Sequence, residues 1–505
     1  MTNPRIQKLR LSFSRRTLHP LADRFLSLTI DVSLIIGGHW WGTSKGTRNG
    51  LSRHKTLPLS LEHPLLRLYT RLLGPAFLRV GGTEADRIRY GFYREAPNSS
   101  SLPSATSPSF LVSAPTPEHV FILKKKLWKQ LADYCRSTEL QLVFTIAAGP
   151  EARDTNGDWQ SQDAERLLRY TARKQIPVAA WELGNEVNAY SFLWGLKNRV
   201  STRQYSHDFE NFAALCQQWT PQALRVGPAS AVWPIIGEPH PLIPGFCRSS
   251  AGNAVDVLSY HFYPQQSQRG RFAVRRARPY TLLNARRLDG ARRPVKRVQL
   301  AAQGTAAQKA RIWITESGHA LYGGEPGISN TFLSTLWWLD QLALYAVEGI
   351  DAVFRQTLIG SDYGLLEEKT LRPRPDYYAS FLWKKLIRSP VYEPPRFEGG
   401  NLRAWAFGGD QRIWLIVINL NRHAHAQVEV GEPIREKIVL SAPKDSPELL
   451  LVNGSPALPR MLWDWDQPEV QRWWGLANPN ETEFLEASHH VALPPLSCAF
   501  LSLAP

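Results

Sequence analysis

Residues 181–186 read Trp-Glu-Leu-Gly-Asn-Glu, an apolar run that ends in Gly-Asn-Glu. Such a run is typical of a buried β-strand with an ionisable residue at its carboxyl end. A second run, residues 312–316, also ends in a glutamate, and a glycine-containing loop follows it. In a barrel of parallel strands the carboxyl ends of the strands carry the active site. Glu186 and Glu316 are therefore predicted to point into one cleft.

Similar apolar runs recur along most of the chain, with amphipathic stretches such as residues 329–347 between them. This alternation predicts parallel strands joined by crossover helices, and about eight such units close a (β/α)8 barrel. The 130 positions between Glu186 and Glu316 fit the fourth and seventh strands of such a barrel. The runs predicted as barrel strands are residues 25–30, 76–80, 140–146, 178–183, 255–260, 311–315 and 352–356.

After Leu386 the pattern changes to short alternating segments separated by Gly, Pro and Asn, which predicts a β-sandwich. Residues 7–14 also alternate and are expected to pair with this sandwich. The predicted domains are residues 1–20 as the N-terminal strand, 21–386 as the barrel and 387–505 as the sandwich. The sandwich strands are predicted at residues 402–407, 412–420, 426–430, 437–441 and 499–503.

Two segments interrupt the barrel pattern. Residues 97–117 are rich in Ser and Pro, which predicts a mobile loop. The basic segment, residues 269–297, carries eleven Lys or Arg and one acid, Asp289, and so holds most of the net charge of +16. It follows His261 and Tyr263 and is expected to leave the sixth strand at the cleft. Two interpretations remain open for it: a site for sulfate or carboxylate groups, and a solvated loop without a specific ligand.

The composition excludes several classes of protein. With 505 residues and 43% apolar content the chain can bury a large core, and no apolar run is long enough for membrane insertion. Arg15 and Arg16 stand where a signal peptide would have its apolar core, so the protein is expected to be cytoplasmic or exported with its leader removed. The four cysteines lack metal or redox spacing, and the basic segment has few aromatics for stacking on nucleic acid.

Paired carboxylates are what glycosidic cleavage needs. One carboxyl group protonates the leaving oxygen, while the other attacks the sugar or activates water. Glu186 and Glu316 are candidates for these two roles, and the neighbouring Asn185 is a candidate for binding a sugar hydroxyl.

The sequence around both glutamates resembles glycoside hydrolase family 79, the heparanases and β-glucuronidases. This similarity extends over nearly the whole chain. The resemblance implies a retaining mechanism with Glu186 as general acid/base and Glu316 as nucleophile. The matching motifs include residues 18–31, 77–83, 181–188, 256–263, 322–324, 338–340, 355–356 and 375–377.

The same resemblance implies a substrate site. The backbone N–H groups of Gly323 and Gly324 and the hydroxyl of Tyr363 match the groups that hold a uronate carboxylate, and glycine allows the close approach of a ligand. Tyr263 matches a tyrosine beside the nucleophile, and His261 matches a nearby histidine that orients its neighbours. The positions that match contacts to sugar hydroxyls are Asp31, Thr83, Asn185 and Gln356.

Two departures from the family are visible. The basic and polar residues that animal heparanase has after a Gly-Pro are replaced here by Ala-Ser-Ala-Val-Trp at residues 229–233. The spacing from Gln356 to Tyr363 is one residue shorter. Recognition of a sulfated pattern is therefore not carried over to this chain.

Together these observations predict a retaining β-glucuronidase of the heparanase type that uses no cofactor or metal. Its expected substrate is an anionic polysaccharide such as a heparan-sulfate-like glycan, or a glucuronide, and either internal or terminal cleavage is open. The alternative is a non-catalytic relative that binds anionic glycans.

Overall fold

Eight parallel strands close into a barrel at the centre of the protein. The structure is a computed structural model that describes residues 5–41, 53–92, 121–234, 237–270, 273–397, 401–476 and 488–504. In chain order the barrel strands are Leu26–Asp31, Ala76–Gly81, Leu140–Ile146, Ala180–Leu183, Leu224–Val232, Val257–Phe262, Arg311–Ser317 and Ala352–Arg355.

A helix follows each barrel strand, as the alternating pattern predicts. Most of these helices bury one face against the strands, so their apolar positions recur with helical spacing. Phe332–Val347 and Pro375–Leu386 differ, since nearly all of their residues are buried. The eight crossover helices are Pro64–Arg71, Lys125–Ser137, Gln162–Arg173, Thr202–Trp219, Ile243–Arg248, Arg292–Ala302, Phe332–Val347 and Pro375–Leu386.

The sequence predictions give seven of the eight strands. They miss the fifth strand, Leu224–Val232, which contains Gly227, Pro228 and several small residues and so has a weak strand signal. Its pairing with the sixth strand shifts in register between Gly227 and Ser230. Glu186 and Glu316 follow or lie on the fourth and seventh strands, which confirms the spacing argument.

The interior of the barrel is built in layers. Residues from seven strands, among them Val143, Ala180, Trp313 and Phe354, form an apolar layer near the amino ends of the strands. Side chains alternate along a strand, so positions two residues further on also face inward. In the second strand, Phe77 packs against the apolar layer, and the position two residues further on is Arg79. The barrel is therefore apolar at its base and polar just below the cleft.

The β-sandwich is the second unit. The strand Arg5–Ser12 pairs with the long strand Ala424–Ser441, which confirms the predicted pairing of the N-terminal segment with the C-terminal sheet. Its strands form one continuous eleven-stranded sheet, and they share a core that includes Leu11, Val428, Leu415 and Leu501. The remaining strands are Thr17–His19, Arg388–Tyr392, Arg396–Phe397, Leu402–Gly409, Arg412–Asn419, Leu451–Val452, Ser455–Pro456, Ser488–Leu493 and Ser497–Leu503.

The sandwich packs against two crossover helices of the barrel. Asp340 in the helix Phe332–Val347 accepts from Arg403 Nε at 2.8 Å and from Trp405 Nε1 at 3.1 Å. Trp383 in the last crossover helix contacts Phe407, with ring centroids 5.0 Å apart. The two units therefore share a buried interface away from the cleft.

The sequence pattern predicted that the basic segment interrupts the barrel. For the second half of the segment this prediction is wrong. Arg292–Ala302 is the regular crossover helix of the sixth unit. Just before this helix, Asp289 of the basic segment accepts a hydrogen bond from Arg403 of the sandwich at 2.8 Å. Much of the basic segment therefore lies on the outside of the barrel. Residues 97–117 lie outside the described residues. Within the described ranges, no helix has the length and apolar character that a membrane span requires.

Candidate active site

A cleft with an empty volume of about 640 Å³ opens at the carboxyl ends of the barrel strands. Eight of the eleven predicted site residues line it. Gly82 also lines it, and four apolar or aromatic side chains, which we call the apolar wall, complete the lining: Leu193, Trp233, Leu321 and Tyr322. The predicted residues at the cleft are Asp31, Thr83, Asn185, Glu186, Tyr263, Glu316, Gln356 and Tyr363.

Glu186 lies three residues beyond the end of the fourth strand and has a left-handed backbone, with φ 54° and ψ 44°. A non-glycine residue in this region carries strain, which is often found at functional sites. Its N–H donates to the Ala229 carbonyl at 3.0 Å. Two residues on, the Asn188 side chain exchanges two hydrogen bonds with the backbone of Ala231. The turn that carries Glu186 is therefore fastened to the fifth strand.

Glu316 lies on the seventh strand with a donor at each carboxylate oxygen. Arg79 Nη1 donates to Oε1 at 2.8 Å and the Tyr263 hydroxyl donates to Oε2 at 2.7 Å. Burial alone raises the pKa of Glu316, but the charges of His261 and Arg79 and the hydrogen bond from Tyr263 outweigh it and leave the pKa below its usual value. Glu316 is thus held as a carboxylate.

His261 lies between the two glutamates and is fully buried. Its Nδ1 is 3.3 Å from Glu186 Oε1 and 3.6 Å from Glu316 Oε2. One oxygen of each glutamate and a ring nitrogen of His261 all lie within 4.8 Å of one another. The two carboxyl groups are therefore close enough to act on one glycosidic bond.

Two carboxylates and an imidazole are also residue types that ligate metals. In this site both oxygens of Glu316 already accept hydrogen bonds, from Arg79 and Tyr263. A cation would compete with the guanidinium for Glu316. The arrangement fits proton transfer and nucleophilic attack better than metal binding.

Arg79 lies below the cleft and links three side chains there. The sequence predictions did not include it among the site residues. Its guanidinium donates to Glu182 at 2.6 Å, to Glu316 at 2.8 Å and to Asn185 at 2.9 Å. Burial lowers the pKa of Arg79, but the charges of Glu182 and Glu316 raise it above its usual value. The available signal was an arginine within an apolar strand, because such a residue requires buried partners.

The amide side chains at the cleft are fixed through their oxygens. Asn185 Oδ1 accepts from Arg79 and, at 3.2 Å, from the Gly82 N–H. Gln356 Oε1 accepts from the Thr29 hydroxyl, and the Gln356 side chain also hydrogen-bonds to Tyr363. Since the oxygens are occupied, the NH2 group of Asn185 remains to donate to a sugar.

Asp31 ends the first strand, and its Oδ1 accepts from the Ser33 N–H at 2.9 Å. Burial raises the pKa of Asp31 to about 7. Gly82 is required beside it: a Cβ there would lie 2.1 Å from Asp31 Oδ2, and the glycine has φ +94°. Gly82 therefore makes room for this carboxyl group, whereas Gly81 makes room for the Arg79 guanidinium, which a Cβ would approach within 2.6 Å.

Gly323 and Gly324 are near the cleft but do not line it. Both have positive φ, and the Gly323 carbonyl accepts from the Asp362 N–H at 2.9 Å, next to Tyr363. The Gly324 N–H donates to the Ala320 carbonyl at 3.2 Å, so a substrate carboxylate would compete with that carbonyl. Their role in binding a carboxylate stays a prediction.

The apolar wall was not predicted as part of the site. Leu193 lies on the short helix Tyr190–Trp194 after Glu186, and Trp233 follows the fifth strand. Leu321 lies on the two-residue strand Ala320–Leu321 that follows the seventh barrel strand, and Tyr322 comes directly after it. In the sequence, apolar residues at such places look like ordinary core positions, so only the folded chain identifies them.

Comparison with known proteins agrees with this architecture. The family profile described as Glycosyl hydrolase family 79, N-terminal domain, matches residues 21–343. Heparanase from Bos taurus is 28% identical over 452 residues, which cover 83% of this chain and 74% of that protein. Heparanase from Gallus gallus is 26% identical, covering 95% and 90%, and baicalin-beta-D-glucuronidase from Scutellaria baicalensis is 26% identical, covering 74% and 71%.

Solved structures support the fold. A 4-O-alpha-L-rhamnosyl-beta-D-glucuronidase from Fusarium oxysporum superposes with a TM-score of 0.63 at 14% identity, covering 98% of this chain and all of that one. An arabinofuranosidase from Xanthomonas axonopodis pv. citri gives 0.64 at 14% identity, covering 98% and 99%. With the profile matching well over half of its length, this chain belongs to glycosyl hydrolase family 79 and is a glycoside hydrolase.

Proposed function

We propose that the protein is a retaining β-glucuronidase that works by double displacement, with Glu316 as nucleophile and Glu186 as general acid and base. The observation that carries this proposal is the close pair of unlike carboxyl groups. Retaining glycosidases hold these groups about 5 to 5.5 Å apart, whereas inverting enzymes leave about 6.5 to 9.5 Å for a water molecule. One oxygen of Glu186 and one of Glu316 lie within 4.8 Å of each other; this is a nearest-atom distance, and its shortness supports retention.

In the first step Glu316 attacks the anomeric carbon and Glu186 gives its proton to the leaving oxygen. Because Arg79 and Tyr263 hold Glu316 as a carboxylate, the nucleophile is in its reactive form. Bond formation to the sugar removes the negative charge from Glu316. The product of this step is a glycosyl-enzyme and a free alcohol.

In the second step Glu186, now a carboxylate, takes a proton from water, and this water attacks the glycosyl-enzyme. Glu316 leaves with its charge restored and is again stabilised by Arg79. His261, 3.3 Å from Glu186, is placed to orient that side chain in both steps. The anomeric configuration of the substrate is restored because it is inverted twice.

The proposed sugar is a glucuronide. Heparanases and a baicalin-beta-D-glucuronidase are among the relatives, which supports a glucuronic acid in the cleaved position. Tyr363 lines the cleft next to the Gly323–Gly324 turn, where the family resemblance assigns the carboxylate. Asp31, Thr83, Asn185 and Gln356 are proposed to bind the hydroxyl groups.

No observation favours the alternative of a non-catalytic glycan-binding relative. Such a relative would be expected to have lost a catalytic carboxylate, whereas both are in place here. Binding of heparin by the wild-type protein without cleavage of any glucuronide would nevertheless favour that alternative.

The test is the anomeric configuration of the first product. An aryl β-glucuronide is hydrolysed in an NMR tube, and the anomeric proton is followed before mutarotation. The proposal expects β-glucuronic acid first. An α product would contradict retention, and hydrolysis of the matching β-glucoside but not the glucuronide would contradict the sugar assignment.

A further inference from the structure

The cleft is divided into two chemically different halves. The polar half contains Glu316, Tyr263 and the proposed hydroxyl-binding residues, which come from the ends of the first, second, fourth and eighth strands and their loops. The apolar wall comes from the chain after the fourth, fifth and seventh strands. The two halves meet at Glu186.

The apolar wall lies on the side where the leaving group must sit. Glu186 gives its proton to the leaving oxygen, so the group attached to that oxygen lies next to Glu186. Leu193 is on the helix that directly follows Glu186, and Trp233 follows the strand whose Ala229 carbonyl accepts the Glu186 N–H. The proposed sugar-binding residues occupy the opposite half.

The wall is held by packing. Leu193 and Trp233 form one apolar cluster with Ala189 and Ala231, and Leu321 packs against it. The hydroxyl of Tyr322 is hydrogen-bonded to Gln266, so the residue offers its ring to the cleft. That ring also packs on Gly270, where a Cβ would come within 2.2 Å. These contacts keep the wall apolar and fixed in place.

No lysine or arginine lines this cleft in the parts of the chain that the structure describes. None of the described residues of the basic segment lines the cleft; for example, Arg269 is buried in an ion pair with Asp362, and Arg297 lies 3.3 Å from Glu238. A sulfate or carboxylate placed against the apolar wall would lose water without gaining a counter-charge, which is unfavourable. An apolar group placed there gains free energy by burial instead.

We propose that the leaving-group side of the cleft takes an apolar, planar aglycone, so that the substrates are glucuronides of aromatic alcohols rather than sulfated polysaccharides. This inference rests on the proposed function. It defines the substrate class by the aglycone, whereas the proposed function defines it by the sugar. Trp233 and Tyr322 are the side chains expected to pack on the aromatic ring system of the leaving group.

The experiment compares phenyl β-glucuronide with 2-naphthyl β-glucuronide, whose leaving groups differ more in apolar area than in acidity. Wild type is expected to have the higher kcat/KM on the naphthyl substrate. Trp233→Ala is expected to lower kcat/KM for the naphthyl substrate about 10-fold more than for the phenyl substrate, from lost aromatic contact. Trp233→Phe, which keeps a ring, is expected to show a smaller loss in the same direction.

The matched control is Trp463→Ala, a tryptophan of the sandwich unit that is 40% exposed and does not line the cleft. It should leave the ratio of the two substrates unchanged. Equal losses on both substrates in Trp233→Ala would overturn the inference while glucuronide hydrolysis stands. Shortening of heparan sulfate at a kcat/KM equal to that on the naphthyl substrate would also overturn it. If wild type releases neither phenol nor naphthol, the proposed function itself fails.

Discussion

The two sides of the cleft differ in how they fix their groups. Around Glu316, hydrogen bonds from Arg79 and Tyr263 at 2.8 and 2.7 Å fix the position of the carboxylate, and the charges of His261 and Arg79 favour its ionised form. Beside Glu186, van der Waals packing of Leu193 and Trp233 forms the wall. Within the described parts of the chain, His261 is the one side chain that hydrogen-bonds to this carboxyl group, at 3.3 Å. The surroundings of Glu316 are suited to a fixed negative charge, and those of Glu186 to a group that releases and takes up a proton.

This difference indicates how one site separates its two tasks. A nucleophile benefits from a low pKa and a fixed orientation, whereas an acid and base must exchange its proton in every cycle. The strong donors therefore belong beside Glu316. The same division gives specificity for the sugar to directional hydrogen bonds, and selectivity for the leaving group to apolar area.

The largest expected effect separates the two glutamates. Glu316→Gln should lower kcat/KM by about 10⁴-fold or more for every leaving group, because no nucleophile remains. Glu186→Gln should cost about 10²- to 10⁴-fold with a poorly acidic leaving alcohol, because that alcohol needs protonation. With 4-nitrophenol as leaving group, Glu186→Gln should slow release of the phenol much less, because this acidic phenol needs little protonation.

Initial rates with substituted phenyl glucuronides measure this dependence. Glu469→Gln, an exposed glutamate on the helix Pro468–Trp474, is the control and should match wild type. A dependence on leaving-group acidity that appears in Glu316→Gln and not in Glu186→Gln would reverse the two roles.

The next effect concerns the charge below the polar half. Arg79→Met leaves Glu182 and Glu316 buried without their counter-charge, which should lower the free energy of unfolding by about 3–5 kcal/mol. It should also raise the pKa of Glu316, because Arg79 is one of the groups that lower it. Since the reactive form is the carboxylate, the acid limb of the kcat/KM profile should move to higher pH, and activity at pH 5 should fall more than at pH 7.5.

Urea unfolding and a pH–rate profile check both parts of this prediction. Arg79→Lys keeps the charge and should retain more stability and more activity at pH 5 than Arg79→Met. Arg136→Met, which removes an exposed arginine paired with Asp133, should change stability by less than about 0.5 kcal/mol. An unchanged acid limb in a folded Arg79→Met protein would mean that Arg79 does not set the charge state of Glu316.

A smaller effect is expected for the carboxylate end of the polar half. Tyr363→Phe should lower kcat/KM for an aryl β-glucuronide about 10-fold more than for the matching β-glucoside, because only the uronate would accept from this hydroxyl. The ratio of the two substrates, measured side by side, isolates the carboxylate contact from any change in folding. Equal losses would remove Tyr363 from this role.

The sequence was sufficient for the barrel and for the positions of Glu186 and Glu316, because an apolar run that ends in an ionisable residue is a local signal. It was not sufficient for Arg79, whose partners Glu182, Asn185 and Glu316 are more than 100 positions away and meet only through strand register. The apolar wall was missed for another reason: Leu193 and Trp233 have the chemistry of core residues. Whether such residues face a core or a cleft depends on tertiary packing.

The smallest expected effect tests whether the basic segment takes part in hydrolysis. Arg286 and Arg287 are exposed on the short helix Ala285–Leu288 and do not line the cleft. Charges beyond a Debye length of about 8 Å at physiological salt are largely screened, so Arg286→Ser with Arg287→Ser should change kcat/KM for phenyl and naphthyl glucuronides by less than about 2-fold. The ratio of the two substrates should stay constant between low and high salt. A large, salt-dependent loss would show that these arginines attract the glucuronate substrate and that the basic segment takes part in hydrolysis.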